Sequence, residues 1–385
     1  MGQPETTIGE GREMVEVEKG ELYYVCEENV RVPRWQETGP RAYICKVTVI
    51  FLLLFLLWQH ARSAFARPPR YARQVAGVPQ YVLDYAPLVW LDIGEEYFPS
   101  DMYAQIANTH PEINLTTIAN PPTPLTLHNL DVLNDYGNDG MDVYLTSNID
   151  VTEGPKWLDG VVPDSTGETR DAISCAVVVN DRGSGNVDAF YMYFYAYNLG
   201  NTVLGRELGD HIGDWEHNMI RFKDGIPEAM WFSQHANGQA FTYKALEKEG
   251  LRPITYSAVG SHANYAVVGA HDHAIPDLNL PYGFLLDFTS QGQLWDPTLS
   301  TYFYNYHADT GSFDAINESP LGAMHFKGKW GDEQYLDSDP KQPPPFFGFR
   351  KFVGGPTGPW DKQLNRTNVC PETGIPCIIR ENLGP

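Results

Sequence analysis

The densest run of chemically capable side chains is Gly209-Asp210-His211-Ile212-Gly213-Asp214-Trp215-Glu216-His217, which leads into Asn218–Lys223. Side chains alternate faces along an extended chain, so Asp214, Glu216 and Asn218 share one face while Trp215 and His217 take the other. Ile220 and Phe222 continue the carboxylate face, which sets paired charge at the mouth of an apolar layer. Such a pair is costly to bury unless a cation or a shared proton relieves the repulsion. His211 stands three residues before Asp214 in a glycine-flanked turn and can swing over the same face. Carboxylate oxygens with one imidazole suit Mg²⁺, Ca²⁺ or Mn²⁺, whereas zinc favours thiolates or several close imidazoles.

His262, in Ser261-His262-Ala263-Asn264-Tyr265, is a further candidate ligand, and His217, His235 and Asn264 are candidate neighbours of the cation. The competing reading of the cluster is a solvated loop with a structural ion pair, and an interior histidine is commonly just hydrogen-bonded. His271-Asp272-His273 reads as a surface loop. The chain has no Gly-x-Ser-x-Gly elbow, no phosphate loop and no dinucleotide Gly-x-Gly-x-x-Gly. Gly183-Ser184-Gly185 is most simply a hairpin turn. Two functions therefore compete: cation-assisted binding of a lipid headgroup or glycan, and a metal-dependent hydrolase with His217 or His235 shuttling the proton. No catalytic residue is assigned.

The elements that must hold these residues read as β structure. Short apolar runs alternate with Gly, Pro, Asn and Asp turns at Met141–Thr146, Ser174–Asn180, Ala189–Tyr197, Trp215–Lys223, Ala229–His235 and Pro253–Val259. The expected fold is mainly β, an antiparallel β-sandwich with few short helices, preceded by one transmembrane or signal segment. Helix is limited, and Ser100–Asn108 and Tyr243–Glu249 are the leading candidates for short pieces. In Phe190–Tyr197 the even positions are Phe190, Met192, Phe194 and Ala196 and the odd ones are all tyrosine. The first set should line the core and the tyrosines the opposite face, against a second layer or a groove.

Lys+Arg 27 against Asp+Glu 49 gives a net charge of −22, which would repel nucleic-acid phosphates and excludes a general nucleic-acid binder. Residues 1–41 read as an acidic disordered tail, 42–61 as a transmembrane signal-anchor or signal peptide, 62–80 as a linker, 81–365 as the folded domain and 366–385 as a C-terminal tail. The apolar run Val47–Trp58, extended to Tyr43 and Ala61, has only Lys46 as a charge. It sits at the edge of the length needed to span a bilayer. Ala64-Phe65-Ala66 has the form of a cleavage site, although some forty residues precede the run. Arg62, Arg67, Arg70 and Arg73 after the run argue for a cytosolic C-terminal side. Sequons at Asn114 and Asn365, and the pair Cys370 and Cys377 that could close a short disulfide loop, argue for a lumenal or extracellular one. The expectation is a membrane-tethered or secreted protein of the secretory pathway, with Cys175 a buried free thiol.

Tyr85-Ala-Pro-Leu-Val-Trp-Leu, Tyr97-Phe-Pro-Ser-Asp101, Gly213-Asp-Trp-Glu-His217, Phe232-Ser-Gln-His235 and Val259-Gly-Ser-His-Ala-Asn264 together resemble the fungal vacuolar protein sorting-associated protein 62 family. The resemblance spans roughly residues 80–365 and implies a link to vacuolar sorting, as a metal-free sorting adaptor if nothing more. More locally, His211-Ile-Gly-Asp214-Trp-Glu216 is similar to the Gly-His-Arg-His-Asp-Trp-Glu heptapeptide of necrosis- and ethylene-inducing-like proteins. That resemblance implies a β-sandwich holding a divalent cation beside a sphingolipid headgroup site, with His211, Asp214 and Glu216 at ligand positions and His262 at another. Ile212-Gly213 stands where that family has Arg-His, and the insert Leu199–Leu208 precedes the motif. Both departures put lytic activity in doubt.

Overall fold

A computed structural model describes residues 74–384 apart from 276 and 277. The expected tail 1–41, the apolar segment 42–61 and residues 62–73 of the expected linker lie outside the described residues. Among those described, no helix is long and apolar enough to cross a membrane.

The chain begins with α1 (Gln80–Asp84), β1 (Leu88–Leu91) and α2 (Met102–Ala107), followed by β2 (Thr109–Ile113), β3 (Thr116–Thr117) and β4 (Tyr144–Ser147). The long strands come next: β5 (Cys175–Gly183), β6 (Asn186–Asn198), the hairpin β7 (Asn201–Val203) and β8 (Arg206–Leu208), then β9 (His211–Lys223), β10 (Ile226–Gln234) and β11 (Asn237–Thr242). After them run β12 (Lys248–Glu249), β13 (Arg252–Ser257), β14 (Asn264–Tyr265), β15 (Gly269–Ile275), β16 (Leu278–Leu280), β17 (Leu286–Thr289) and β18 (Leu294–Trp295). The chain closes with β19 (Thr301–His307), β20 (Ser312–Ile316), α3 (Gly322–His325) and β21 (Ile379–Arg380).

Eight strands form the main sheet in the order β20-β19-β5-β6-β9-β10-β11-β21. A five-stranded sheet, β12-β13-β1-β18 with β14 on β13, supplies the second layer. The six expected strands all form, as β4, β5, β6, β9, β10 and β13, so the mainly-β reading holds. The sheets are mixed, however, and not purely antiparallel: β1 pairs β13, β5 pairs β19 and β11 pairs β21 in parallel. Parallel neighbours need a long crossover, and the chain between Gly183 and Thr301 provides one. Alternation of residue types along a strand does not reveal which distant strand will return beside it.

β-branched and aromatic residues make the central strands, and small turns fix their register. Ser184 and Gly185 both have positive φ, +54° and +77°, and join β5 to β6 in a type I′ hairpin. The expected helix Tyr243–Glu249 is instead a single 3₁₀ turn, Tyr243–Ala245, followed by β12. Leu246 is drawn into the core, and the Lys248 ammonium donates to the carbonyls of Tyr243 and Leu246 that a helix would have used.

Both faces of the main sheet are buried. Phe190, Met192 and Phe194 join Trp215, Met219 and Trp231 in one core, while Tyr191, Tyr193 and Tyr195 join Ile220, Phe222, Val89 and Trp295 in the other. The tyrosines thus face the second layer. Their hydroxyls are satisfied inside it, Tyr191 donating to the Val82 carbonyl at 2.6 Å and Tyr193 to Asn218 Oδ1 at 2.8 Å. Arg252 forks onto Asp296 at 2.5 and 2.7 Å beneath this layer. Residues beyond 365 belong to the fold: Arg366 is buried, and β21 extends the main sheet. Cys370 and Cys377 are disulfide-bonded, and Cys175 is a buried free thiol whose pKa burial pushes up to about 12.

Candidate functional site

The start of β9 carries the site. Asp214 lies opposite Tyr195 and Glu216 opposite Tyr193 in the β6–β9 register. Asp214 and Glu216 are both buried, on the face of β9 that meets the second layer. Trp215 packs into the other core against Phe194 and Trp330, as the alternation of β9 predicts. Gly213 sets the entry to the strand: its φ is +68°, and a Cβ there would lie 2.0 Å from the Trp330 carbonyl oxygen.

His211 Nδ1 is 2.7 Å from the Gly213 carbonyl oxygen. A carbonyl only accepts, so Nδ1 carries the proton and the Nε2 lone pair is left for another partner. Burial, partly offset by Asp214, lowers the pKa of this ring and keeps it neutral. A neutral imidazole whose other nitrogen is anchored to a backbone carbonyl is the usual form of a metal-binding histidine.

His262 is placed differently from a ligand. Its Nδ1 lies 3.1 Å from Asp214 Oδ2, its Nε2 2.9 Å from the Tyr97 carbonyl oxygen, and its ring is stacked on Tyr195 at 3.7 Å. Glu95 Oε1 is 3.8 Å away, and Glu95 Oε2 accepts from the Gly260 amide at 2.9 Å. Burial opposes charge on His262, but Glu95 and Asp214 outweigh it and raise its pKa to about 10. Both ring nitrogens are occupied, so His262 orients and charge-balances Asp214. Burial also works against ionisation of Asp214, and the hydrogen bond from His262 overcomes it and holds Asp214 below the usual carboxylate range.

Glu216 accepts no hydrogen bond from a cationic side chain, although the charges of Lys362 and His235 partly favour its ionised form. Ser233 Oγ donates to its Oε2, and the His235 amide donates to its Oε1 at 3.2 Å. Burial first, and then the charge of Asp214, raise its pKa to about 7. One carboxylate is therefore ionised with a partner and the next is balanced near neutrality, an asymmetry characteristic of sites that take up a proton or a cation.

His217 points to the opposite core. Its Nε2 accepts from Arg366 Nη2 at 3.2 Å, and burial beside Arg366 holds its pKa well below the usual value. It is not positioned to shuttle a proton to Asp214 or Glu216. Asn264 is fully buried, with Nδ2 3.5 Å from Ser233 Oγ and its Oδ1 without a hydrogen-bond partner. His235 occupies the β10–β11 turn, and its Nε2 is 2.8 Å from Asp287 Oδ2.

Asp287 and Glu95 were missed from the sequence. Asp287 sits on β17 with its polar face inward, leaving Phe288 exposed, which inverts the usual pattern and gave no signal. His271-Asp272-His273, expected as a surface loop, forms part of β15, with His271 and Asp272 buried against β17. Asn114 and Asn365 are both exposed.

Fold and site together define a mainly-β protein with a buried acid–imidazole cluster on the β9 face that meets the second layer. A family model described as vacuolar protein sorting-associated protein 62 matches residues 196–280, the stretch that contains His211, Asp214, Glu216, His235 and His262. TDA6 of Saccharomyces cerevisiae, described as vacuolar protein sorting-associated, is 38% identical over 76% of this chain and 68% of its own length. Vacuolar protein sorting-associated protein 62 of the same yeast is 35% identical over 77% of this chain and 68% of its own. The chain belongs to the vacuolar protein sorting-associated protein 62 family. Among solved structures, "NLPPya in complex with mannosamine" aligns at 12% identity over 67% of this chain and 84% of that one, with a TM-score of 0.28. An alignment that loose supports no conclusion about ligand or activity.

Proposed function

We propose that His211, Asp214 and Glu216 hold a divalent cation of the Mg²⁺, Ca²⁺ or Mn²⁺ type, and that the cation helps bind a lipid headgroup or glycan on the lumenal or extracellular side of the secretory pathway. The observation that carries this reading is the unequal pair on β9: two buried carboxylates on one strand face, of which only Asp214 is hydrogen-bonded to a cationic side chain. A hard divalent ion would relieve the remaining repulsion through oxygen donors, with His211 Nε2 completing the set. Headgroup binding is favoured by a cavity of about 400 Å³ lined by Leu199, Val203, Leu204, Phe284, Leu286 and Phe288. The Leu199 amide donates at 2.9 Å to the Gly260 carbonyl, two residues before His262, and Leu204 is 80% exposed. An exposed apolar rim of this kind suits a ligand with a hydrophilic head and a greasy body.

The test is metal analysis and thermal unfolding of the full-length protein, beside Asp214→Asn, Glu216→Gln. After chelation the wild type should rebind Mg²⁺, Ca²⁺ or Mn²⁺ and gain melting temperature when that ion is restored. The double variant should rebind none of the three and gain nothing. Equal responses of the two proteins to the restored ion would refute the assignment.

A further inference from the structure

A second set of donors lies on the other side of His235, built from imidazole rather than carboxylate. His235 Nε2, His273 Nε2 and a carboxylate oxygen of Asp287 all fall within 4.8 Å of one another. Asp287 Oδ2 is 2.8 Å from His235 Nε2 and 3.9 Å from His273 Nε2. Donors on a tetrahedral zinc ion bonded at about 2.0–2.1 Å are separated by roughly 3.3 Å, between these two distances. A shift of about half an ångström brings each of these two distances to that separation, and the two imidazole nitrogens already lie within 4.8 Å of one another.

The carboxylate is already oriented. Ser261 Oγ and Asn201 Nδ2 donate to Asp287 Oδ1 at 2.7 and 2.9 Å, and the Tyr265 hydroxyl donates to Oδ2 at 2.7 Å. Outer partners of this kind fix a ligand's direction before the ion arrives. Asn201 Oδ1, 3.0 Å from His273 Nε2, supplies a fourth donor close by. His235 stands in a two-residue turn with φ +55°, where the backbone favours glycine. The turn presents the imidazole beside His273, with the rings 4.0 Å apart. Burial is graded, from an inaccessible Asp287 side chain to a His235 side chain 30% exposed. Entry and an open position thus lie on the His235 side.

We infer that His235, His273 and Asp287 form a binding site for a borderline-soft divalent transition metal, of which Zn²⁺ is the chemical type, separate from the oxygen-rich pocket on β9. Two imidazoles and one carboxylate suit Zn²⁺ and are poor hosts for Mg²⁺ or Ca²⁺, which demand more oxygen ligands. The ion takes the place of the proton that His235 Nε2 now shares with Asp287.

The experiment uses full-length protein stripped with EDTA, then equilibrated with Zn²⁺ in excess Mg²⁺ and analysed for bound zinc. Co²⁺ serves as a second probe, through its four-coordinate ligand-field absorption. Wild type should bind about one Zn²⁺ per chain and give the intense Co²⁺ band of a four-coordinate site. His273→Ala and the rim variant His235→Ala should each weaken Zn²⁺ by at least about a hundredfold, since losing even an outer partner costs 10–100-fold. Asp214→Asn, Glu216→Gln should keep its zinc, so failure of the β9 reading leaves this result intact. Wild-type zinc retention in folded His235→Ala, or no zinc and no four-coordinate Co²⁺ band in wild type, overturns the inference.

Discussion

Replacing Glu216 by glutamine should make the cation-free protein more stable, although the residue is buried and hydrogen-bonded. In the folded chain burial and the charge of Asp214 raise its pKa to about 7. An unfolded glutamate titrates near 4.3. Between those values the unfolded state releases a proton that the folded state keeps, so stability falls as pH rises from about 4.3 to about 7, and above that the contribution of the protonated Glu216 is gone. At about 1.4 kcal/mol per unit, the ionised Glu216 costs at most roughly 3–4 kcal/mol at pH 8. Glutamine removes that cost while its Oε1 continues to accept from the His235 amide. Its Nε2 would donate to Ser233 Oγ, and a flip of the Asn264 amide, whose donor Nδ2 now lies 3.5 Å from that oxygen, would turn the unpartnered Oδ1 to accept the freed serine hydroxyl. Urea denaturation in EDTA at pH 5, 6, 7 and 8 measures the effect. The wild type should weaken across the series, and Glu216→Gln should exceed it by about 2–3 kcal/mol at pH 8 but by little at pH 5. Excess Mg²⁺ or Ca²⁺ should then restore wild type by RT ln(1 + [L]/Kd), about 2.7 kcal/mol at a hundredfold excess over Kd, and leave the variant unmoved. A variant less stable than wild type at every pH in chelator would refute the reasoning, because Glu216 would then be ionised and stabilised without an ion.

His217→Ala should keep the full chelator response, since His217 faces the other core. It should cost about 3 kcal/mol in urea titrations by leaving the buried Arg366 guanidinium without its acceptor. Gly213→Ala combines a positive φ with a Cβ 2.0 Å from the Trp330 carbonyl oxygen, and should lose at least about 2 kcal/mol and the cation response together. A stable, cation-responsive Gly213→Ala would show that the turn into β9 does not set the site.

Much of this molecule was legible along the chain because a strand imposes a period of two. The alternation in β9 assigned Asp214 and Glu216 to one face and Trp215 and His217 to the other, and the two cores divide them in that way. The tyrosine parity of β6 and the Ser184-Gly185 hairpin followed from the same local rules. The cysteine spacing foreshadowed the Cys370–Cys377 bond. Tertiary structure decided what those periods cannot encode. Parallel pairing of β5 with β19 and of β1 with β13 depends on segments that return from far along the chain. His262 became the clamp on Asp214 because Glu95 and the Tyr97 carbonyl, more than 160 residues earlier, occupy its surroundings. Asp287 reached His235 and His273 only once β15 and β17 had paired, on a strand whose apolar residue faces solvent. Strand parity names the face a side chain takes. Which charges meet across that face is set by long-range packing, where the cost of burying each polar group has to be met by partners from elsewhere in the chain.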